Sequence, residues 1–153
     1  MELATGTDMQ SGWETQLLTS EAIVHYWDDI KTMLEKVPQT WRLHTIESFY
    51  MGALEGRIQV WSVGTKTEVK AVLFTQLALY PAHRVLQGIW MCGEGALEGL
   101  DILDGVATRF ARIQGCDEIQ IHGRRGWKPL VSKLGYVEDY TVFTKSVPKD
   151  VLQ

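Results

Sequence analysis

The chain has 153 residues, 45% hydrophobic and 22% charged, with a net charge of −4: the balance of one ordinary globular domain, long enough to bury about two thirds of its unfolded surface. That mild acidity leaves no broad basic field, which excludes nucleic acid and anionic membrane as partners attracted by charge. No apolar stretch approaches the roughly 20 residues of a spanning helix, no basic-then-apolar leader opens the chain, and Cys92 and Cys116 lack metal-ligand spacing, so reduced thiols, no metal and a cytoplasmic setting are expected.

Residues 1–12 (MELATGTDMQSG) show no periodicity and read as a flexible N-terminal arm. Residues 13–18 read as a first strand. Thr19 or Ser20 then caps a helix whose apolar positions Ile23, Tyr26, Trp27, Ile30, Met33, Leu34 and Val37 recur at threes and fours until Pro38. A second helix spans 45–54 and ends at Gly56. The period then becomes two: Ile58, Val60 and Ser62 alternate against Gln59, Trp61 and Val63, and Gly64-Thr65-Lys66 makes a turn. Strands over 68–79 and 84–92 complete an antiparallel block.

After Gly93-Glu94-Gly95 a helix over 96–114 carries the stripe Leu97, Leu100, Leu103, Ala107, Phe110, Ala111 and Ile113, with Gly115 as its stop. A strand over 116–121, a short helix over 127–134 ended by Gly135 and a strand over 136–147 follow, leaving a tail at 148–153. The order β-α-α-β-β-β-α-β-α-β over residues 13–147 predicts a single α/β (α+β) domain, a mixed sheet with helices on both faces. The 6 tryptophans, Trp13, Trp27, Trp41, Trp61, Trp90 and Trp127, are scattered, which suits core and partner packing better than one stacking platform.

The stretch GCDEIQIHGRRGWKPLVSKLGY, residues 115–136, places Arg124, Arg125 and Trp127 at a strand-to-helix junction. Three uses fit those residue types. Gly123 and Gly126 could allow a tight turn with Trp127 over the core and an arginine paired to an acidic neighbour or stacked on an aromatic ring; the arginines could grip an anion; or they could anchor a protein contact. The architectural use is preferred.

With its KLGYVEDYTVFTK ending, this pattern resembles the GNAT (Gcn5-related N-acetyltransferase) superfamily over about residues 13–147, and residues 115–136 resemble in particular small GNAT-like proteins of tailed bacteriophages. The resemblance implies a mostly antiparallel sheet with a central parallel splayed pair. In working members acetyl-CoA lies in that V, and its diphosphate is held by the backbone of a Q/R-x-x-G-x-G/A loop at a helix N-terminus. A base, often a glutamate acting through water, takes the amine proton, and a tyrosine of the short helix protonates the thiolate.

Measured against that pattern, the loop CGEGALEGL lacks the leading Gln or Arg, and Glu94 and Glu98 stand where the diphosphate belongs. The position of the tyrosine acid is Val131. The remaining catalytic candidates are His122 as base, ahead of His83, Glu94, Asp117 and Glu118, and Tyr136 as acid. If acetyl-CoA binds, the resemblance puts Met91, Gly93, Gly95, Arg124 and Arg125 on it.

The expectation is therefore a catalytically silent GNAT-like domain without a cofactor. It would be an accessory or structural phage protein in the virion or the host cytoplasm, binding other proteins and able to oligomerise. The alternative is an acetyl-CoA-dependent N-acetyltransferase acting on a primary amine; a third reading is a module that uses the cleft for a peptide or small anion.

Overall fold

Two threonines decide where the first helices begin. The Thr19 side chain accepts the Ala22 N–H at 3.2 Å and starts α1, Ser20–Glu35, whose residues Ile23, Ile30 and Leu34 are buried along one stripe. Thr45 and Ser48 form a reciprocal capping box that starts α2, Ile46–Leu54. Gly52 of α2 lies so close to the Ile58 side chain that a Cβ there would overlap it, so the helix and the strand after it meet through a glycine.

The computed structural model describes residues 5–7, 12–37, 43–94 and 98–149. Gly95, Pro38, Trp41, the start of the third helix near Ala96 and the tail beyond 149 lie outside them. The chain divides into two units, Met1–Gly123 and Arg124–Gln153.

The first unit carries a six-stranded sheet in sequence order: β1 (Thr5–Thr7), β2 (Glu14–Leu17), β3 (Gln59–Gly64), β4 (Val69–Leu79), β5 (Arg84–Gly93) and β6 (Glu118–Ile121). Neighbours pair antiparallel except β5 and β6, which are parallel. On one face α1 and α2 cover Val60, Val72, Phe74 and Cys92. On the other lies α3, Leu100–Ile113, whose Leu103 and Val106 cover Trp61, Val63 and Ala71, and whose Ala107 and Ala111 cover Leu86. The mixed sheet with helices on both faces is the fold read from the sequence.

Three details differ from that reading. Thr5–Thr7, inside the stretch read as an arm, forms a strand: Gly6 fits against Ile102 and Val106 where any side chain would overlap them, and Arg109 donates to the Thr5 carbonyl at 3.0 Å. α3 begins at Leu100 behind Gly99. Residues 136–147 form no strand, and the parallel pair accordingly ends the sheet instead of lying at its centre. An alternating pattern makes a segment suited to a sheet, but the strand exists only once a neighbour supplies the ladder.

In the second unit, residues Arg125–Trp127 make one 3-10 turn and α4 spans Lys128–Ser132. Gly135 with φ 95° closes it, its N–H donating to Ser132 and that of Tyr136 to Val131.

Candidate functional site

The parallel pair closes only over the first part of β5. Register runs from Val85 opposite Glu118 to Gly88 opposite Ile121, and the His122 N–H donates to the Gly88 carbonyl at 3.0 Å. Past that bond β5 continues to Gly93 without a strand on that side among the described residues. A V therefore opens at residues 89–93. On the other side β4 holds β5, and the pairing skips Ile89: Thr75 faces Gly88, and Phe74 faces Trp90. This bulge turns both Ile89 and Trp90 to the α1–α2 face and returns Met91 to the α3 face.

At the foot of the V three glutamines lie in one row across β4, β5 and β6. Gln76 Nε2 donates to Gln87 Oε1 at 3.0 Å, and Gln87 Nε2 donates to Gln120 Oε1 at 3.2 Å and to the Tyr80 hydroxyl at 3.1 Å. Gln120 Nε2 continues to Glu118 Oε1 at 3.0 Å. Gln87 is buried, and this row satisfies its amide while fixing the register of the pair just before it splays. Trp90 is the opposite case: its indole N–H is buried without a well-formed hydrogen bond. Burial pushes the nearby Cys92 thiol up to about 12, against the Trp90 indole, which draws it the other way. Neither the glutamine row nor this orphan N–H was read from the sequence; the shared spacing of Gln76 and Gln87 about their turn was the one signal present.

Of the sequence candidates, His122 stands where the V begins to open, and Met91 and Gly93 lie further along β5. The Met91 side chain packs into the α3 core, so only its backbone faces the opening. Gly93 turns with φ 107°, and a Cβ there would overlap the Lys70 carbonyl, which makes this glycine a requirement of the turn itself. His122 is exposed where β6 ends, and Glu94 is exposed just past Gly93. His83, Asp117 and Glu118 belong to the other end of the strands, where β5 and β6 begin, and are not catalytic candidates for the V. There the His83 bond to the Ala82 carbonyl, with Glu118 and Asp117 adding, raises its pKa above the usual histidine value against a smaller desolvation.

The anion cradle is the decisive part. Leu103 N–H closes onto Gly99, leaving the amides of the first turn of α3 without intrahelical acceptors, and no side chain caps them. Gly99 rests on Val63 of β3, which pairs through Ala71 of β4 to Gly93 of β5. The free amides thus begin two strand spacings, roughly 10 Å, from β5. Glu98 and Asp101 are exposed at that turn, and Glu94 is exposed after the end of β5. Carboxylates at that turn oppose a diphosphate.

In the second unit Arg124 and Arg125 are exposed and, among the described residues, neither is in an ion pair. Neither Gly123 nor Gly126 adopts positive φ. The expected pairing of an arginine with an acidic neighbour is thus not formed among the described residues. Tyr136 is half-buried, its N–H used in closing α4. Val131 lies on α4.

No protein-family model and no curated protein matches the sequence. Solved structures do. An aminoglycoside acetyltransferase, meta-AAC0020, from an uncultured soil metagenomic sample superposes with a TM-score of 0.65 at 9% identity, covering 92% of this chain and 100% of that one. The ribosomal-protein-alanine N-acetyltransferase of Brucella melitensis biovar Abortus 2308 gives 0.65 at 10% identity, covering 89% and 99%. Glucosamine-6-phosphate N-acetyltransferase of Arabidopsis thaliana gives 0.59 at 13%, covering 89% and 99%. At such identities the likeness speaks for architecture, and the chain carries the GNAT acetyltransferase fold.

Proposed function

We propose that this chain is a GNAT-fold protein that has lost acetyl transfer and serves as an accessory component of a protein assembly. One observation carries the reading: the first turn of α3, where the fold would hold a coenzyme diphosphate, starts over β3 with Glu98 and Asp101 exposed at it. Each carboxylate near that turn opposes an anion by on the order of 1 kcal/mol even with screening. The valine at position 131 agrees with it. The assembly we have in mind is a phage particle, a reading that rests on the resemblance of residues 115–136 to small phage proteins.

Titration calorimetry with acetyl-CoA tests the loss of chemistry. No heat and no thermal shift at millimolar ligand are expected; saturable binding would overturn it. For the assembly role, the chain should co-sediment with purified particles, and its absence from them would end that part of the reading.

One feature favours a second reading, an active N-acetyltransferase acting on a primary amine: the V and the bulge that frames it are intact. Acetylation of a panel of primary amines, followed by release of free thiol, would establish it.

A further inference from the structure

A small polar cavity opens between β2, β3 and α1, away from the V, and neither reading of the function uses it. We propose that it binds a small zwitterion, a free amino acid with a short side chain. This stands apart from whether acetyl-CoA binds, because β2 and β3 lie two or three strand spacings, roughly 10 Å or more, from β5 and the V.

Backbone geometry fixes the walls. Pairing of β3 with β4 slips after Val63, so that Gly64 faces Val69, and this bulge turns Val69 to the α1–α2 face, where it joins the lining. A Cβ at Gly64 would overlap the Glu68 carbonyl, and the Thr65 N–H donates to that carbonyl at 2.9 Å, which holds the turn closed. Glu14 sits opposite Gly64 on β2. The cavity holds about 150 Å3. That is room for about five waters and no more than about half of a drug-sized pocket, so only a small molecule fits.

Charge selects the ligand. The Glu68 carboxylate in the lining is already taken by Lys70 Nζ at 3.0 Å. Half-buried Glu14 and exposed Lys66 also line the cavity, and among the described residues neither has an ion-pair partner. A simple cation drawn to Glu14 meets the Lys66 ammonium, a simple anion drawn to Lys66 meets the Glu14 carboxylate, and a neutral molecule gains from neither. A zwitterion sets its ammonium on Glu14 and its carboxylate on Lys66, making two charge-assisted hydrogen bonds. Hydroxyls remain for a short polar side chain. Tyr26 lines the cavity with its hydroxyl in no hydrogen bond among the described residues, and buried Ser62 donates only over a stretched 3.5 Å to the Gln16 carbonyl. Solvent reaches both charges, so affinity is modest, in the millimolar range.

Amide chemical shifts of the whole chain, titrated with L-serine and with glycine, test the proposal; acetate, ethylamine and glycerol serve as singly charged and neutral controls. The expected result is saturable movement centred on residues 14–16, 26 and 62–69 at millimolar L-serine, with much weaker responses to all three controls. Glu14→Gln and Lys66→Met, each checked for an unchanged fold by circular dichroism, should each weaken serine binding by roughly tenfold. Silence of those amides up to the solubility of either amino acid overturns the proposal, and so does an equal response to acetate, ethylamine or glycerol. Movement centred instead on residues 89–93, or an affinity that neither variant changes, overturns it as well.

Discussion

Trp61 and Trp90 are two tryptophans of one sheet in opposite polar circumstances. Trp61 is fully buried and its Nε1 donates to Thr75 Oγ1 at 3.0 Å; the Trp90 donor is buried without a partner. Trp61→Phe should therefore cost about 2–3 kcal/mol through a lost bond and a small void, while Trp90→Phe should cost less than about 1 kcal/mol because it also removes an unsatisfied donor. Chemical denaturation would measure both, and equal losses would mean that the Trp90 N–H finds a partner in solution. Cys92 offers a second check. Its pKa is raised by burial from 9.0 to about 12, so the folded state holds the thiol proton more tightly than the unfolded state. The stabilisation is complete below about pH 9 and is lost as pH climbs toward 12, a fall on the order of 4 kcal/mol at most. At pH 8 a thiol reagent should modify the less buried Cys116 first and reach Cys92 only on unfolding.

At the scale of elements, α3 shows what a sequence reveals and what it hides. Its end was legible. Gly115 with φ 73° closes the helix with two bonds, Gly115 N–H to Arg112 and Cys116 N–H to Ala111, and Arg84 donates to the Gln114 carbonyl at 2.6 Å. Gly115→Ala should lower stability by about 1 kcal/mol, read as a shifted thermal midpoint; no change would mean that the left-handed turn is not kept in solution. The helix start was misplaced, because Gly95, Glu98 and Gly99 give no apolar stripe and no capping side chain to mark it. β1 was invisible for a different reason: three small residues carry no alternation, and their place comes from Gly6 meeting a helix about a hundred residues later in the chain. Residues 136–147 failed the other way, with a strong local pattern where no strand forms.

For the molecule as a whole, the fold was legible because hydrophobic period and glycine stops are local signals, and the V followed from it. The glutamine row was not, since three carboxamides from three strands become one hydrogen-bonded line only after register is set. All three apolar clusters are assembled from residues no later than Ile119. A chain ending at Gly123 should therefore still unfold in one cooperative step; gradual, non-cooperative melting would show that the second unit is needed for the core. α3 crosses the sheet obliquely, touching Gly6 and Val63 at its start and reaching Arg84 at its close, so it works as a diagonal brace between the two rims. Its upper footing is jammed: any side chain at position 99 would collide with Val63. Gly99→Ser alone should weaken the protein, whereas combining it with Val63→Ala should cost at least about 1 kcal/mol less than the two single changes summed. Simple additivity in that cycle would mean that the valine does not hold the glycine in place.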